Sequence, residues 1–170
     1  IGTDITASQL TEQLADTGGE LLVEVLTKFA KCKAKKRKLP TPEVQDETLA
    51  TYAHKLEASD RNIDWSESAK SIADKIRGLA GRMPVRSMLG DVNIQILEAR
   101  QIEQQLPDME ATPAGTLVDV SKNGINVQCA TDLLQITRVK VERGKGTELD
   151  PAAAINGYGD LFFPGARLAN

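Results

Sequence analysis

The 170-residue sequence predicts an α+β protein, with helices in its first half and a compact β-barrel in its second. Two observations support this fold class. As far as about residue 80, apolar residues recur at the three- and four-residue spacing of amphipathic helices. From Val92 onward, short β-rich runs alternate with turn residues, and several short strands with one small helix are typical of a barrel.

Two short helices are expected at the start of the chain, on either side of Gly18-Gly19. Leu10 and Leu14 share one face of the first helix. The second helix has apolar residues at helical spacing, at Leu21, Leu22, Val25, Leu26 and Phe29. These apolar faces call for a sheet that the sequence does not contain.

Charge is unevenly distributed around these helices. Residues 1–27 contain five acids and no base, whereas residues 28–38 contain seven bases and no acid. The net charge of −3 therefore conceals one cationic cluster. Such a cluster is a candidate polyanion site, because neutralising phosphates releases counterions and drives binding. The alternative is a solvated tether. Pro40 and Pro42 then impose an extended path.

A third helix is expected in "IDWSESAKSIADKIRGL", with Asp64 as its cap. Its buried stripe comprises Trp65, Ala69, Ile72, Ala73, Ile76 and Leu79. Gly78 weakens this helix and Gly81 ends it.

Four strands are expected in "VNIQILEA", "GTLVDV", "GINVQCA" and "LLQITRVKV". The stretch "SKNG" predicts a hairpin, because Asn-Gly accepts the positive φ of a tight turn. A short helix begins at Pro151 behind the cap Asp150 and ends before Gly157. "DLFFPG" is expected to return as a last strand.

Composition argues against several other classes of protein. No run approaches the roughly 18 apolar residues that cross a bilayer, and the first residues lack the basic region of a signal peptide. Cys32 and Cys129 are far apart and are expected to be free thiols in a reducing cytoplasm. No metal-ligand spacing is present.

Four separated motifs carry a resemblance to a known family. They are "PEVQDETLATYAHKL", "NIDWSESA", "GTLVDVSKNGINVQCATDLLQITRVKVERGKG" and "FFPGARL". Their order and spacing resemble the C-terminal part of bacterial methionyl-tRNA formyltransferase. The resemblance implies a Rossmann-like N-terminal domain that transfers a formyl group from 10-formyltetrahydrofolate to methionyl-tRNA. It also implies a C-terminal barrel resembling an OB fold, which helps to hold the initiator tRNA.

On this plan residues 1–30 are the end of the catalytic domain, 31–60 a basic and proline-containing linker, 61–81 a connecting helix and 82–170 the barrel. The resemblance favours a tRNA-phosphate role for the basic cluster, at Lys31, Lys33, Lys35, Lys36, Arg37 and Lys38. A smaller contribution is expected from Lys122, Arg138, Lys140 and Lys145, whose field is offset by acids such as Asp119 and Glu142. It also implies a cytoplasmic enzyme that is a monomer when full length, with no metal and no membrane partner.

No catalytic or folate-binding residue is assigned in this chain. The family's chemistry uses an Asn, a His and an Asp of the N-terminal domain. His54 lies in the expected linker. Asp16-Thr17-Gly18 copies the family's Asp-Thr-Gly motif, but it follows "IGTDIT" instead of preceding it, so Asp16 is interpreted as a turn or cap residue. The chain alone is therefore expected to be inactive.

Two departures from the family are visible. "GLAGRMPVRSML" keeps only Pro84 of an Asn-Pro-Trp-Pro-Gly-like loop, and a Gly-Lys-Lys motif becomes Gly144-Lys145-Gly146. Two alternatives remain open. One is a free-standing RNA-binding adaptor without a catalytic half, and the other is a sugar or other small-molecule formyltransferase of the same fold.

Overall fold

The computed structural model describes residues 4–103, 112–144 and 146–169. Contacts divide the chain into two compact units. One unit is Gln9–Leu56, and the other is Glu57–Asn170 together with Ile1–Ser8.

A single long helix, α1, spans Ala7–Ala34. The expectation of two helices was wrong, because α1 runs without interruption through Gly18-Gly19. Each glycine in a helix interior costs only about 1 kcal/mol relative to alanine, too little to end a helix that strong helix formers extend on both sides. Asp16 consequently lies inside the helix, not at a turn or cap. No described residue of α1 is buried, and the apolar side chains of Leu14, Leu21, Leu22 and Leu26 are exposed.

The second helix, α2, spans Ala69–Leu79 and buries Ala69, Ile72, Ile76 and Leu79. Its N-cap is Ser68, whose side chain accepts a hydrogen bond from the Ser71 N–H, so the expectation that Asp64 caps it was wrong. Asp64 instead stabilises a turn before the N-cap of α2. Its carboxylate accepts hydrogen bonds from the Ser66 N–H at 2.9 Å and from the Ser66 hydroxyl at 2.6 Å.

Seven strands form one antiparallel sheet in the second unit. They are β1 Val85–Leu89, β2 Val92–Ile102, β3 Leu117–Ser121, β4 Gly124–Gln128, β5 Leu133–Val141, β6 Glu148–Leu149 and β7 Leu168–Ala169. Their order is β3-β4-β5-β2-β1-β7, and β6 pairs with β5. The last helix, α3, spans Pro151–Tyr158 with Asp150 as its N-cap, as the sequence predicted at that end; at its other end α3 includes Gly157.

The sheet is curled, because hydrogen bonds join the segments beside its two end strands. The Leu117 N–H donates to the Ala166 carbonyl at 2.8 Å, and the Leu168 N–H donates to the Gly115 carbonyl at 2.8 Å. Gly115 has a φ of +86°, and a Cβ there would lie 2.4 Å from the Leu168 carbonyl oxygen. Only glycine fits this junction.

Strands β2 to β5 and the β3–β4 hairpin confirm the sequence prediction, but both ends of the sheet differ from it. Strand β1 lies in a stretch where no strand was expected. Its inward positions are Val85, Ser87 and Leu89, and the serine disguises the apolar alternation. "DLFFPG" forms turns, and the final strand is β7 instead.

The buried core of the second unit lies between α2 and the sheet. Trp65 is only 4% exposed, and its indole N–H donates to the Ser87 hydroxyl oxygen at 3.0 Å. That hydroxyl donates to the Ala169 carbonyl at 2.6 Å. The serine in β1 therefore links the segment before α2 to the C-terminal strand, which accounts for a polar residue at a buried position.

Candidate nucleic-acid interface

The basic cluster, defined as Lys31, Lys33, Lys35, Lys36, Arg37 and Lys38, begins in the last turn of α1 and continues beyond it. Cations are favoured there because the partial negative charges of the last helical carbonyls attract them. All six side chains are exposed. The helix end thus gathers positive charge at a position where it also stabilises the helix.

Backbone hydrogen bonds give the end of α1 a defined geometry. The Arg37 N–H donates to the Cys32 carbonyl at 2.9 Å, and the Lys36 N–H donates to the Lys33 carbonyl at 3.1 Å. This pair of bonds is a Schellman motif, which normally has glycine at its left-handed position. Lys36 occupies that position with a φ of +52°. A left-handed conformation costs a non-glycine residue about 1 to 2 kcal/mol. Lys36 therefore occupies a position that glycine would occupy with less strain.

Positive charge in the basic cluster is not neutralised by neighbouring side chains. Among the described residues, none of the six cations forms an ion pair. Lys28, one turn upstream, does form one, with Glu24 at 2.5 Å. That hydrogen bond and the charge of Lys28 lower the pKa of the Glu24 carboxyl. The uncompensated field therefore belongs to residues 31–38.

The chain beyond the cluster has little regular structure. Pro40 and Pro42 lie in a stretch without helix or strand, as the sequence predicted. One short 3-10 turn, Glu47–Leu49, follows the N-cap Asp46. The side-chain and backbone hydrogen bonds from Thr48 lower the pKa of the Asp46 carboxyl. His54 is exposed and lies outside any helix or strand.

The sheet cations named from the sequence occupy different surroundings from those of the basic cluster. Arg138 pairs with Glu98 at 3.3 Å and with Glu148 at 3.9 Å. Lys140 lies in register between Gln95 on β2 and Glu148 on β6. Lys122 is exposed in the two-residue turn between β3 and β4, and Lys145 lies outside the described residues. Arg138 is therefore largely neutralised, and by different acids from those expected.

The sheet cation Arg100 was not singled out from the sequence. Arg100, near the end of β2, is held by the side-chain amide of Gln135. The register pairs these two residues directly. A single β-rich run carries no information on which strand lies beside it, so no local sequence signal identified the pair.

Other reactive groups do not form a catalytic cluster in the described part of the chain. Asp16 is exposed within the helix α1, and His54 is far from it in sequence. Burial raises the pKa of the Cys129 thiol to about 12, which keeps it protonated. No group of three or more possible metal ligands occurs among the described residues. No described helix has the length and apolar character needed to span a bilayer.

Comparison with known proteins connects this arrangement to one family. A family model described as "Formyl transferase, C-terminal domain" matches residues 55–159. A methionyl-tRNA formyltransferase from Marinobacter nauticus is 32% identical over 168 residues, covering 99% of this chain and 50% of the relative. A methionyl-tRNA formyltransferase from Pseudoalteromonas translucida is 30% identical, covering 96% of this chain and 48% of the relative.

Solved structures agree on the fold. A crystal structure of a HypX variant from Aquifex aeolicus is similar to 91% of this chain and 26% of its own, with a TM-score of 0.65 and 15% identity. HypX in complex with tetrahydrofolic acid has a TM-score of 0.53 over 79% of this chain and 22% of its own. This chain spans about half the length of the curated relatives it matches. The match and the relatives confirm the resemblance seen in the sequence, and the chain belongs to the family of formyl transferase C-terminal domains.

Proposed function

We propose that this chain is the C-terminal half of a cytoplasmic methionyl-tRNA formyltransferase, in which it holds the initiator tRNA. The family match and the relatives named for that activity support the proposal. In this proposal the Rossmann-like catalytic domain precedes the chain, and residues 1–30 complete it. Residues 31–60, which begin in the last turn of α1, form the linker, 61–81 the segment that contains the connecting helix α2, and 82–170 a barrel resembling an OB fold.

The observation that carries the proposal is the uncompensated charge of the basic cluster. Six exposed cations within eight residues lack an ion-pair partner in the described structure. A segment that lies between a catalytic domain and a tRNA-holding domain is where a phosphate backbone passes. Each phosphate contacted there releases counterions, so binding is tolerant of RNA sequence and strongly dependent on salt.

The chemistry is divided between the two halves of the enzyme. The amino group of methionyl-tRNA attacks the formyl carbon of 10-formyltetrahydrofolate and loses a proton, while negative charge develops on the formyl oxygen. The bond between the formyl carbon and the folate nitrogen then breaks, that nitrogen takes up a proton, and tetrahydrofolate leaves. A proton acceptor and a donor to that oxygen are needed at the reacting atoms. We assign both to the catalytic domain and assign to this chain the positioning of the tRNA, which reduces the entropy lost at the reaction step.

The test is tRNA affinity measured across a salt series for two charge-matched variants. In the first, Lys35, Lys36 and Arg37 are replaced by Gln. If all three contact phosphates, the slope of log K against log salt becomes shallower by about two units. In the second, Lys28, Lys70 and Arg143 are replaced by Gln. These cations are already paired with Glu24, Asp74 and Asp160.

The second variant loses the same charge but should change the slope clearly less than the first. Equal slopes for the wild type and the Lys35/Lys36/Arg37 variant would mean that the cluster is a solvated tether. Equal changes in the two variants would mean that only net charge matters.

A further inference from the structure

A row of polar side chains crosses four strands on one face of the sheet. Arg100 on β2 pairs in register with Gln135 on β5, Gln135 with Asn126 on β4, and Asn126 with Asp119 on β3. The side chains are hydrogen-bonded along this row. Gln135 Nε2 donates to Asn126 Oδ1 at 3.2 Å, and Asn126 Nδ2 donates to Asp119 Oδ2 at 3.4 Å.

Gln135 fixes the guanidinium of Arg100. Arg100 Nε and Nη2 both donate to Gln135 Oε1, at 2.9 Å and 2.7 Å. Gln135 itself is only 8% exposed, and its side chain lies against Gly124, where a Cβ would come within 2.5 Å of Gln135 Cγ. The residue that holds Arg100 is therefore immobilised by its own neighbours.

The charge of Arg100 is retained, in contrast to the other arginines that form side-chain pairs on this unit. Arg77, Arg138 and Arg143 each bond to a carboxylate, whereas Arg100 bonds to a neutral amide and forms no ion pair within the described residues. Asp119 is three strands away, about 14 Å at ordinary strand spacing. That exceeds the Debye length of about 8 Å at physiological ionic strength. Glu98, two residues along β2, is engaged by Arg138.

The arrangement leaves an unused edge on the guanidinium. Of its five N–H groups, Gln135 takes one on Nε and one on Nη2. Three remain, on Nη1 and Nη2, and that edge matches two oxygens of one phosphate. A neutral partner removes side-chain freedom without removing charge, so less entropy is lost when an anion binds.

We propose that Arg100, positioned by Gln135, binds a backbone phosphate of the RNA on this face of the sheet. The inference rests on the proposed function for the identity of the partner, and it adds a second contact on the barrel, separate from the basic cluster. Arg100 is a stronger candidate for this contact than Arg138, because Arg138 already has two carboxylate partners.

The decisive variant is Gln135→Glu in the full chain. It keeps an oxygen for Arg100 but supplies a negative charge, so Arg100 is neutralised in place. The Asn126 amide can turn its Nδ2 toward the new carboxylate, at the expense of the 3.4 Å contact with Asp119. We expect unchanged or higher thermal stability together with weaker binding of deacylated initiator tRNA. The salt slope should become shallower by about 0.7 to 0.9, the value of one phosphate contact.

Three further variants separate the explanations. Arg100→Gln should match Gln135→Glu in slope, since both remove one effective charge. Arg100→Lys keeps the charge without the fork and should keep the slope while lowering affinity. Asn156→Asp is the charge-matched control, at an exposed position of α3 on the same unit, and it should leave the slope unchanged.

The outcomes are distinguishable. If the wild-type chain binds tRNA but the lines for Arg100→Gln and wild type are parallel, Arg100 serves only the sheet and this inference is overturned, while the proposed function stands. If the salt slopes of Gln135→Glu and Asn156→Asp agree, a charge added beside Arg100 has no more effect than a charge added elsewhere on the unit, and the inference again fails. If the wild-type chain shows no salt-dependent tRNA binding, both proposals fail.

Discussion

Lys36 illustrates how one residue serves the helix and the charge cluster at once. Its left-handed backbone completes the Schellman motif that ends α1. Glycine is the residue that this position favours. A lysine there lowers the local stability, and it adds one more cation to a segment that already contains Lys31, Lys33, Lys35, Arg37 and Lys38.

Replacing Lys36 with Gly should therefore stabilise the end of α1. The expected gain over Lys36→Ala is about 1 kcal/mol, because alanine keeps the Cβ that makes a positive φ costly. Amide hydrogen exchange in the last turns of α1 measures this gain. The amides there should exchange roughly fivefold more slowly in Lys36→Gly than in Lys36→Ala. Both variants lose the same charge, so their tRNA affinities should agree. Equal exchange rates in the two variants would contradict the left-handed assignment.

At the scale of elements, the hairpin between β3 and β4 was predicted from "SKNG", but for a different reason from the one observed. Lys122 and Asn123 form the two-residue turn, and neither these two nor Gly124 is among the described residues with positive φ. Glycine is needed at position 124 because the Gln135 side chain lies directly over it. The position of the turn could be predicted from the sequence, but the side chain of Gln135, which makes glycine necessary at position 124, could not.

Gly124→Ala should consequently destabilise the sheet through Gln135. The new Cβ would lie 2.5 Å from Gln135 Cγ and 2.6 Å from Gln135 Cδ, so the whole amide must move and Arg100 loses both hydrogen bonds. We expect a loss of about 1 to 3 kcal/mol in the free energy of unfolding, the usual cost of overpacking.

Urea denaturation in two backgrounds checks this expectation. In Gln135→Ala the obstruction is gone, so adding Gly124→Ala should cost clearly less, with a coupling energy above about 0.5 kcal/mol. The same penalty in both backgrounds would place the role of Gly124 elsewhere.

Other elements differ in how much of them the sequence determines. The run "LLQITRVKV" predicted β5 because a β-rich composition is visible in the run itself, without knowledge of the neighbouring strands. Strand β1 escaped detection because Ser87 is buried only through bonds to Trp65 and Ala169, at opposite ends of the second unit's chain. The basic cluster is visible as a run of letters, whereas the neutralisation of Arg138 depends on the register that brings Glu98 and Glu148 beside it. Pairing across strands is the information that a local pattern lacks.

At the scale of the whole molecule, the chain carries the residues that we propose bind RNA, and it has no assembled catalytic group among its described residues. The basic cluster lies on one unit and Arg100 on the other, and we propose that both bind phosphates of the same RNA. A chain of this kind should bind the substrate without converting it.

We therefore predict that the purified chain catalyses no formyl transfer yet inhibits an enzyme that does. Methionyl-tRNA and 10-formyltetrahydrofolate incubated with this chain should give no formylated product above the buffer blank, because we assign the proton acceptor and the oxyanion donor to the catalytic domain. The full-length relative from Marinobacter nauticus is the positive control. Adding this chain in excess to that reaction should slow it by sequestering tRNA.

That inhibition should fade as salt rises, because counterion release drives the competing complex. The variant with Gln at positions 35 to 37 should inhibit less than the variant that changes Lys28, Lys70 and Arg143, since only the first set lacks carboxylate partners. Catalysed transfer by the chain alone would place reacting groups within it and refute the division of labour. Inhibition that is equal for both variants would instead show that the relative and this chain compete for something other than the phosphate backbone.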